Sequence, residues 1–326
     1  MLTRLALLLT VLLLAAGCGS GPGQADTSSG KPLTTLSLQL DWYPNPDHVG
    51  LYTAIDHGFF QRAGLRVEPH QPSDVSDPIK LVATGRADLG ISYEPELFFA
   101  QQQHAPVVAV CALVPQALNS IIARTDAGIH TVADLRGKTI GEDGTQSTAA
   151  YLDTVLRTAG IDPDKDVHRV TVGFNLLPAL LAKKVDAVIG VFRNIEGAEL
   201  TARGIPHVTF PVDRYGVPSY DELVIVANSD RLASDPAYRE SVHAFVAGLM
   251  AGTAYAKARP QVALSVMHRY AADDYRNVLE RSVPATLALL HTTKLDPSRW
   301  QAFGQWMQDQ GLLKQPPDGA KLVASP

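Results

Sequence analysis

Short apolar runs of two periodicities alternate along this chain. Residues 36–40 alternate leucine with polar residues, which is the pattern of a half-buried β-strand. The next apolar run, Val49 to Ile55, is followed by Gly58, as expected for a short helix. Because this alternation continues to about Ala227, the sequence predicts an α/β fold of open, mostly parallel sheets covered by helices.

One pattern occurs twice, about a hundred residues apart. Residues 80–92 run from a helix end through a short turn into an apolar strand, and residues 179–191 do the same. Polar and aromatic residues follow each strand. A spacing of this size is too long for a solenoid repeat. It predicts two similar α/β lobes, each of which ends a strand at a shared crevice.

The predicted lobes are built from three segments of the chain. We assign residues 34–128 and 217–326 to lobe 1 and residues 129–216 to lobe 2. The chain returns to lobe 1 through an apolar strand at residues 223–227. The two passages between the lobes would form the hinge.

The pattern after residue 227 is mostly helical and predicts a C-terminal set of helices that packs on lobe 1. Asp296 and Pro297 are typical of a helix N-terminus, and Gly311 would close that helix. The other helices of the set are predicted at residues 236–258, 261–270 and 275–291.

Residues 1–17 have the organisation of a signal peptide. Arg4 precedes an apolar run of about thirteen residues, which is too short to span a bilayer. Cys18 follows in a setting that resembles the bacterial lipobox, so Cys18 is the expected lipidation site. The match departs at Ala15, where leucine is usual. Residues 18–33 predict a flexible tether. We expect an extracytoplasmic protein, lipid-anchored to the bacterial cell membrane; the alternative is a secreted protein with an incidental cysteine.

Composition argues against several classes of protein. The net charge of −5 is mild and no block of residues is strongly basic, so nucleic acid is not an expected partner. Cys111 is the only cysteine besides Cys18, which excludes a disulfide framework and a cysteine-based metal site. The 10 histidines include no pair at positions i and i+4, so we expect no metal.

Motifs for phosphate binding and nucleophilic catalysis are incomplete. Residues 137–139 resemble the end of a P-loop, but Val132 stands where the first glycine is required. The turn at residues 144–147 lacks the spacing of a nucleophile elbow. We therefore expect neither enzymatic activity nor a cofactor.

The stretch from Asp41 to Tyr52 carries the most informative side chains. A strand leads into a turn with two prolines, and this turn presents Trp42, Asn45 and His48. Small ligands bind in α/β proteins where strand ends open into helix starts. A flat aromatic wall beside hydrogen-bonding groups suits a flat, polar ring. The alternative is a surface loop whose tryptophan packs in the core.

Five motifs resemble those of the substrate-binding proteins of ABC importers, in the branch that carries the pyrimidine precursor of thiamine. The resemblance covers about residues 35–325. It departs at Phe192 and Arg193, where the family commonly has an aromatic pair, and this departure bears on which ring is bound. The motifs are Trp42, Pro44, Asn45, His48, Gly50 and Tyr52; Gly58 to Leu65; Gly85 to Gly90 with Tyr93 to Pro95; Asp186 to Gly190 with Asn194 and Glu196; and Tyr220 to Leu223.

The resemblance implies a two-lobe periplasmic-binding-protein-like fold of type II, with a two-stranded hinge and closure by domain rotation. It implies a monomer that passes an aminopyrimidine to permease and ATPase subunits. Trp42 would stack on the ring with Tyr93 or Phe192, and Glu196 and Glu222 would accept hydrogen bonds. The expected ligand-binding residues are Trp42, Asn45, His48, Tyr93, Glu94, Gly144, Thr145, Phe192, Asn194, Glu196 and Glu222.

Two other functions stay open. Related proteins of this fold carry riboflavin, sulfonates or nitrate; Arg193 favours an anion, whereas Glu196 and Glu222 oppose one. A eukaryotic relative is an enzyme that makes the thiamine pyrimidine from its own histidine, a pyridoxal cofactor and iron. The leader and the single cysteine of the body argue against that class here. For His48 and Glu94 in particular, a turn, cap or hinge role is the alternative to ligand contact.

Overall fold

The computed structural model describes residues 32–74 and 77–324. The signal peptide predicted at residues 1–17, the lipidation site Cys18 and the predicted tether up to residue 31 lie outside the described residues. In the described ranges the strands are β1 Thr34–Gln39, β2 Leu65–His70, β3 Leu89–Ser92, β4 Val107–Val114, β5 Asn119–Arg124, β6 Thr139–Glu142, β7 His168–Thr171, β8 Ala187–Phe192, β9 His207–Pro211 and β10 Leu223–Asn228.

The helices cover both sheets and end in a C-terminal set. They are α1 Val49–Asp56, α2 Phe59–Arg62, α3 Asp77–Ala83, α4 Glu94–Gln102, α5 Gln146–Thr158, α6 Leu176–Leu181, α7 Glu196–Ala202, α8 Ser229–Ser234, α9 Pro236–Ala258, α10 Pro260–Tyr270, α11 Leu279–Leu289 and α12 Pro297–Asp309. None of the helices in this described part is long and apolar enough to span a bilayer.

The two five-stranded sheets have equivalent strand orders, β2-β1-β3-β10-β4 and β7-β6-β8-β5-β9. The α/β fold with two lobes is therefore confirmed. The sheets are mixed, however, where the sequence suggested mostly parallel ones. In each sheet the first three strands are parallel and the last two pairings are antiparallel. This follows because each sheet receives one strand, β10 or β5, that arrives from the other lobe.

The pairing of β5 corrects one predicted boundary. Residues 34–128 were assigned to lobe 1, but β5 pairs with β8 and β9 and so belongs to the second sheet. The first passage between the lobes is therefore residues 115–118, and the second is residues 215–222. The apolar pattern of β5 suits either sheet, which is why the sequence alone did not locate the passage. Both passages are irregular and neither is a strand.

The repeated pattern has the same structural role in the two lobes. In lobe 1, Asp88 precedes β3, and its Oδ2 accepts hydrogen bonds from Ser37 N at 2.9 Å and Ser37 Oγ at 2.8 Å on β1. In lobe 2, Asp186 precedes β8, and its Oδ2 accepts from Thr139 N at 2.9 Å on β6. Each aspartate therefore ties the start of one strand to its parallel neighbour.

The C-terminal helices agree with most of the predicted set. Asp296 caps α12 by accepting from the backbone N–H groups of Ser298 and Arg299, and α9 ends before Pro260 as predicted. The helix expected at residues 275–291 begins only at Leu279, after a 3₁₀ turn.

Stacked aromatic rings join the lobes beside the hinge. Tyr151 of α5 stacks on Tyr220 of the second passage with ring centroids 5.4 Å apart. Tyr220 in turn stacks on Phe303 of α12 at 4.9 Å, and Trp306 of α12 lies against Tyr151. Such pairs contribute about 0.5–1.5 kcal/mol each beyond area burial. These rings therefore pack the two lobes together beside the passages.

We expect Asp88→Ala to lower the free energy of unfolding by about 2 kcal/mol, because it removes an acceptor of two hydrogen bonds from β1 and a partner of Arg231. Urea denaturation measures this. Glu240→Ala, at an exposed position of α9, is the control and should change stability by less than about 0.5 kcal/mol. Equal stability of the two variants would contradict the assigned role of Asp88.

Candidate ligand-binding site

A cavity of about 720 Å³ lies between the two sheets, where the carboxyl ends of their parallel strands meet. Its wall includes Trp42 after β1, Tyr93 after β3, Asp143 after β6 and Phe192 at the end of β8. Ligand cavities in proteins commonly measure about 300–1,000 Å³, and in open α/β sheets they form at this edge. The topology therefore places the cavity where a small ligand is expected.

Carboxyl groups dominate the charged lining of the cavity. Among the described residues that line it, Lys314 is the one lysine or arginine. Such a wall offers many hydrogen-bond acceptors and few cations, so it favours a ligand rich in N–H donors over an anion. The lining carboxyl groups are Asp41, Asp74, Glu96, Asp143, Glu196 and Glu222.

Glu196 was predicted as an acceptor, and it borders the cavity at the first position of α7. Its Oε2 accepts a hydrogen bond from Phe192 N at 2.7 Å, so the loop after β8 fixes the carboxyl group. Removal from water raises the pKa of Glu196 to about 7. Near neutral pH this side chain can therefore act as a carboxylate acceptor or as a carboxylic acid donor.

Glu222 also lines the cavity and at the same time holds the hinge. Its Oε2 accepts from Leu118 N at 2.6 Å in the first passage, from Asn119 N at 2.9 Å at the start of β5, and from the Tyr220 hydroxyl at 2.9 Å in the second passage. Burial raises the pKa of Glu222 to about 7. One carboxyl group thus belongs to both the hinge and the cavity wall.

Trp42 forms an aromatic wall and is not a core residue. Its indole N–H donates to the Tyr275 hydroxyl at 3.0 Å, which fixes the plane of the ring. Phe174 of lobe 2 packs edge-on against it with centroids 4.4 Å apart. All three rings line the cavity, and Phe174 is 51% exposed at its mouth. Tyr93 and Phe192, the other predicted stacking residues, also line the cavity.

Asp41 lines the cavity and was not among the predicted residues. It is almost fully buried and accepts hydrogen bonds from His48 Nε2 at 2.9 Å and the Tyr93 hydroxyl at 3.0 Å. His48 itself is fully buried and does not line the cavity. His48 therefore orients Asp41, as a turn role would require, and its contact with a ligand stays a prediction. The position of Asp41 just past β1, beside Trp42, was the signal that could have identified it.

Asn45 lines the cavity, but its side chain is used by its own turn. Its Oδ1 accepts from Asp47 N at 2.8 Å, and its Nδ2 donates to Tyr43 O at 3.2 Å. The side chain caps the 3₁₀ turn Pro46–His48. Asn45 therefore shapes the cavity wall mainly by holding the backbone of this turn.

Glu94, the contact predicted on α4, lies outside the cavity lining, whereas its neighbour Glu96 belongs to the lining. Glu94 is fully buried away from the cavity, and its Oε2 accepts from Asp221 N at 2.6 Å at the hinge. Glu96, two positions further along α4, lines the cavity instead, and burial raises its pKa to about 7. Both residues lie in the first turn of α4, but their side chains lie on different sides of the helix, Glu94 at the hinge and Glu96 at the cavity.

The turn before α5 contributes through Thr145 rather than Gly144. Thr145 lines the cavity and caps α5 by accepting from Thr148 N at 3.2 Å. Gly144 does not line the cavity; it has φ +94°, and a Cβ there would lie 2.9 Å from Thr171 Cγ2. Asp143 accepts from Thr145 N at 2.8 Å and is a lining residue that was not predicted.

Asn194 is the remaining predicted contact that lies outside the cavity lining. It is buried, and its Nδ2 donates to Asp47 Oδ1 at 2.6 Å and Thr286 Oγ1 at 2.8 Å. Phe174 and Tyr275 were missed because they lie in 3₁₀ turns outside the recognised motifs. Within the described ranges, no group of three or more His, Cys, Asp or Glu side chains is arranged to hold a metal ion.

The two lobes and the cavity between them define a binding protein for a small ligand. The same fold occurs in the alkanesulfonate-binding protein SsuA from Xanthomonas axonopodis pv. citri bound to MOPS. The TM-score is 0.71 at 18% sequence identity, and the match covers 91% of this chain and 100% of that chain. At this identity the likeness concerns the fold. It confirms the periplasmic-binding-protein-like fold that the sequence motifs implied.

The chain belongs to the NMT1/THI5-like family, whose model matches residues 45–263. It is similar to a putative thiamine biosynthesis protein from Haemophilus influenzae, with 35% identity over 85% of this chain and 88% of the relative. It is also similar to the formylaminopyrimidine-binding protein from Halalkalibacterium halodurans, with 31% identity over 96% of this chain and 94% of the relative. The family expected from the sequence is thus confirmed.

More distant relatives carry the name of an enzyme. The 4-amino-5-hydroxymethyl-2-methylpyrimidine phosphate synthase of Aspergillus parasiticus is 27% identical over 70% of this chain and 68% of the relative. Family membership alone therefore does not separate binding from synthesis.

The raised pKa of Glu196 predicts a pH dependence of stability. The folded chain holds the proton with a pKa near 7, above the ordinary value of 4.5. The contribution of Glu196 to the free energy of unfolding should therefore fall as pH rises through this window. From pH 5 to pH 7, the free energy of unfolding of the wild type should fall by about 1–2 kcal/mol relative to that of Glu196→Gln. Urea denaturation at the two pH values measures this. A difference that does not change with pH would contradict the buried setting of this carboxyl group.

Proposed function

We propose that this chain is the extracytoplasmic substrate-binding component of an ABC importer, and that it captures a thiamine-related aminopyrimidine precursor in the cavity between its lobes. The observation that carries the proposal is the pairing of an aromatic wall with buried carboxyl groups. Trp42 supplies the wall, and Asp41, Glu196 and Glu222 supply acceptors at three sides of the cavity. The relatives named for thiamine biosynthesis and formylaminopyrimidine binding support the same ligand class.

An aminopyrimidine matches the chemistry of Glu196. The ring presents an exocyclic N–H donor next to a ring-nitrogen acceptor. With a pKa near 7, the Glu196 carboxyl group is partly protonated near neutral pH. In its protonated form it can accept from the amine with one oxygen and donate to the ring nitrogen with the other. The face of the ring would rest against Trp42, whose plane is fixed by Tyr275. The wrong ring would leave buried carboxyl groups unpaired, which is an effective source of selectivity.

The structure weighs against the anion alternative. Arg193, which favoured an anionic ligand, does not line the cavity and donates to the backbone carbonyl of Ala117. Lys314 is exposed at the rim. A sulfonate or nitrate would therefore face several carboxyl groups with little cationic compensation.

A larger neutral ligand needs a direct test. A cavity of about 720 Å³ has room for more than one ring, so riboflavin is not excluded by size. With a single pyrimidine bound, ordered water would fill the remaining space and bridge ligand to protein.

The same proposal extends to the partners and the location. We propose a monomer that is tethered to the membrane through Cys18 and residues 18–33 and that delivers its ligand to permease and ATPase subunits. The sequence pattern of the leader supports this arrangement. Mass spectrometry of the mature N-terminus would reveal a lipid on Cys18.

The enzymatic alternative rests on the relatives named as synthases. Cys111 offers no support for it, because burial raises the pKa of its thiol to about 12 and the thiolate needed for nucleophilic chemistry is disfavoured. Pyridoxal absorbance or iron in protein purified from its native host would favour the enzyme. An unphosphorylated aminopyrimidine, bound without pyridoxal or iron, would favour transport, because the product named for the enzyme is a phosphate.

Calorimetric titration tests the ligand directly. We expect tight binding of one compound among hydroxymethyl-, aminomethyl- and formylaminomethyl-aminopyrimidines, and no binding of taurine or nitrate. Glu196→Ala should weaken that binding by about 1.5–3 kcal/mol, the range for a hydrogen bond to a charged group, whereas Glu240→Ala should not. Binding of riboflavin or taurine alone would reject the pyrimidine and keep the fold-level assignment.

Trp42→Ala should abolish detectable binding without unfolding the protein, because Trp42 borders the cavity and is only partly buried. Tyr43→Ala is the matched control, since Tyr43 is the next residue, is 47% exposed and does not line the cavity. Circular dichroism and urea denaturation would accompany the titration. Loss of folding in Trp42→Ala, or retained affinity, would contradict the stacking role.

A further inference from the structure

Asn194, expected in the ligand site, makes a buried contact between the lobes instead. It follows β8 in lobe 2, and its Nδ2 donates to Asp47 Oδ1 at 2.6 Å and to Thr286 Oγ1 at 2.8 Å. Asp47 lies in the turn after β1, and Thr286 lies on α11 of the C-terminal set, both in lobe 1. The Thr286 hydroxyl also faces Asp47 Oδ1 at 3.3 Å. All three side chains are almost fully buried.

This contact adjoins the cavity on both sides. The backbone N–H of Asp47 donates to the side-chain oxygen of Asn45, and Asn45 lines the cavity in lobe 1. Glu196, which lines the cavity in lobe 2, is two residues after Asn194 and begins α7. The contact between Asp47 and Asn194 therefore bridges these two walls of the cavity.

We propose that Asp47, Asn194 and Thr286 form an interlobe latch that stabilises the closed arrangement of the lobes and positions Asn45 and Glu196 on opposite walls of the cavity. The latch touches no ligand. Its residues act through the turn at residues 46–48 and the start of α7, so they are positioning residues. This inference goes beyond the proposed function, because the latch joins the lobes whatever ligand is bound.

Protonation of Asp47 should weaken the latch. Asp47 Oδ2 and Asn194 Oδ1, both acceptors, have no hydrogen-bond partner among the described residues, although both are buried. Burial raises the pKa of Asp47 to about 6, and the hydrogen bond from Asn194 lowers it. The Asn194 contact therefore favours the charged form of Asp47.

Other titratable groups face Asp47 and must be separated from it. His48 lowers and Asp41 raises the pKa of Asp47 through their charges. Glu196 and Tyr275 also interact with Asp47 electrostatically. A pH effect of the latch is therefore the part of the pH dependence that disappears in Asp47→Asn, since the other groups remain.

The hydrogen bond from Asn194 joins the closed lobes and lowers the pKa of Asp47. Closure through this contact is therefore favoured while Asp47 is charged. The ratio of closed to open molecules should fall as pH falls through about 6.

Distance measurement between the lobes tests the latch without any ligand. Val170 of lobe 2 and Met250 of lobe 1 are 42% and 50% exposed, and each can be replaced by a spin-labelled cysteine. Cys111 is buried, and Cys18→Ser removes the other thiol. Double electron–electron resonance then gives the closed and open fractions. Because no ligand is added, failure of the latch and failure of the pyrimidine proposal give separate results.

We expect a substantial closed fraction in the labelled wild-type chain. Asn194→Ala should lower the closed-to-open ratio at least tenfold, as expected for loss of a buried hydrogen bond to a charged group. Thr286→Val should lower it less, and Asn277→Ala, at an exposed asparagine of lobe 1, should not change it. Asp47→Asn should remove the Asp47 part of the pH dependence, because its amide does not titrate.

Three results would overturn the inference. One is an open wild-type chain without ligand, because the latch would then not hold the lobes. Another is an unchanged ratio in Asn194→Ala. The third is an Asp47→Asn chain that keeps the pH dependence of the wild type while urea denaturation shows it to be fully folded, because Asp47 would then not be the titrating group.

Discussion

One oxygen atom of Glu222 joins the two segments that pass between the lobes. It accepts hydrogen bonds from Leu118 N in the first passage, from Asn119 N at the start of β5, and from the hydroxyl of Tyr220 in the second passage. Immediately beyond these bonds, β5 enters the sheet of lobe 2 and β10 enters the sheet of lobe 1. Both sheets are therefore completed by a strand whose position depends on this carboxyl group. Three donors to one buried oxygen compensate for its removal from water, and the remaining desolvation appears as a raised pKa.

Carboxyl groups at other strand ends in the cavity are also fixed by hydrogen bonds from the protein. Glu196 gives one oxygen to the backbone of its own loop, and Asp41 is held by His48 and Tyr93. Each carboxyl group is fixed by protein donors before a ligand arrives, so little rotational freedom is lost on binding. Rigid acceptors also discriminate well, because a ligand that lacks matching donors leaves them desolvated and unpaired. The acidic wall is therefore suited to selective recognition of a donor-rich ring.

Periodicity predicted the layers of this fold but not the partners of its strands. The alternation of strands and helices, the cap of α12 at Asp296 and the repeated aspartates at Asp88 and Asp186 were all visible in the sequence. The assignment of β5 was not, since an apolar strand of six residues fits either sheet. In the site, the motifs located the right strand ends. They could not tell which side chain at a helix start turns inward, so Glu94 was predicted where Glu96 lines the cavity.

The two lobes have equivalent topology yet contribute differently to the cleft. Lobe 1 presents a 3₁₀ turn with an aromatic residue in front of it and the N-terminus of α4, whereas lobe 2 presents the N-termini of α5 and α7. Unpaired backbone N–H groups and the helix dipole make such N-termini favourable for carboxyl groups, and Asp143 and Glu196 lie there. At the start of α7, Asn194 faces lobe 1 and Glu196 faces the cavity. Because one turn of backbone carries both side chains, any shift of this turn changes interlobe contact and ligand contact together.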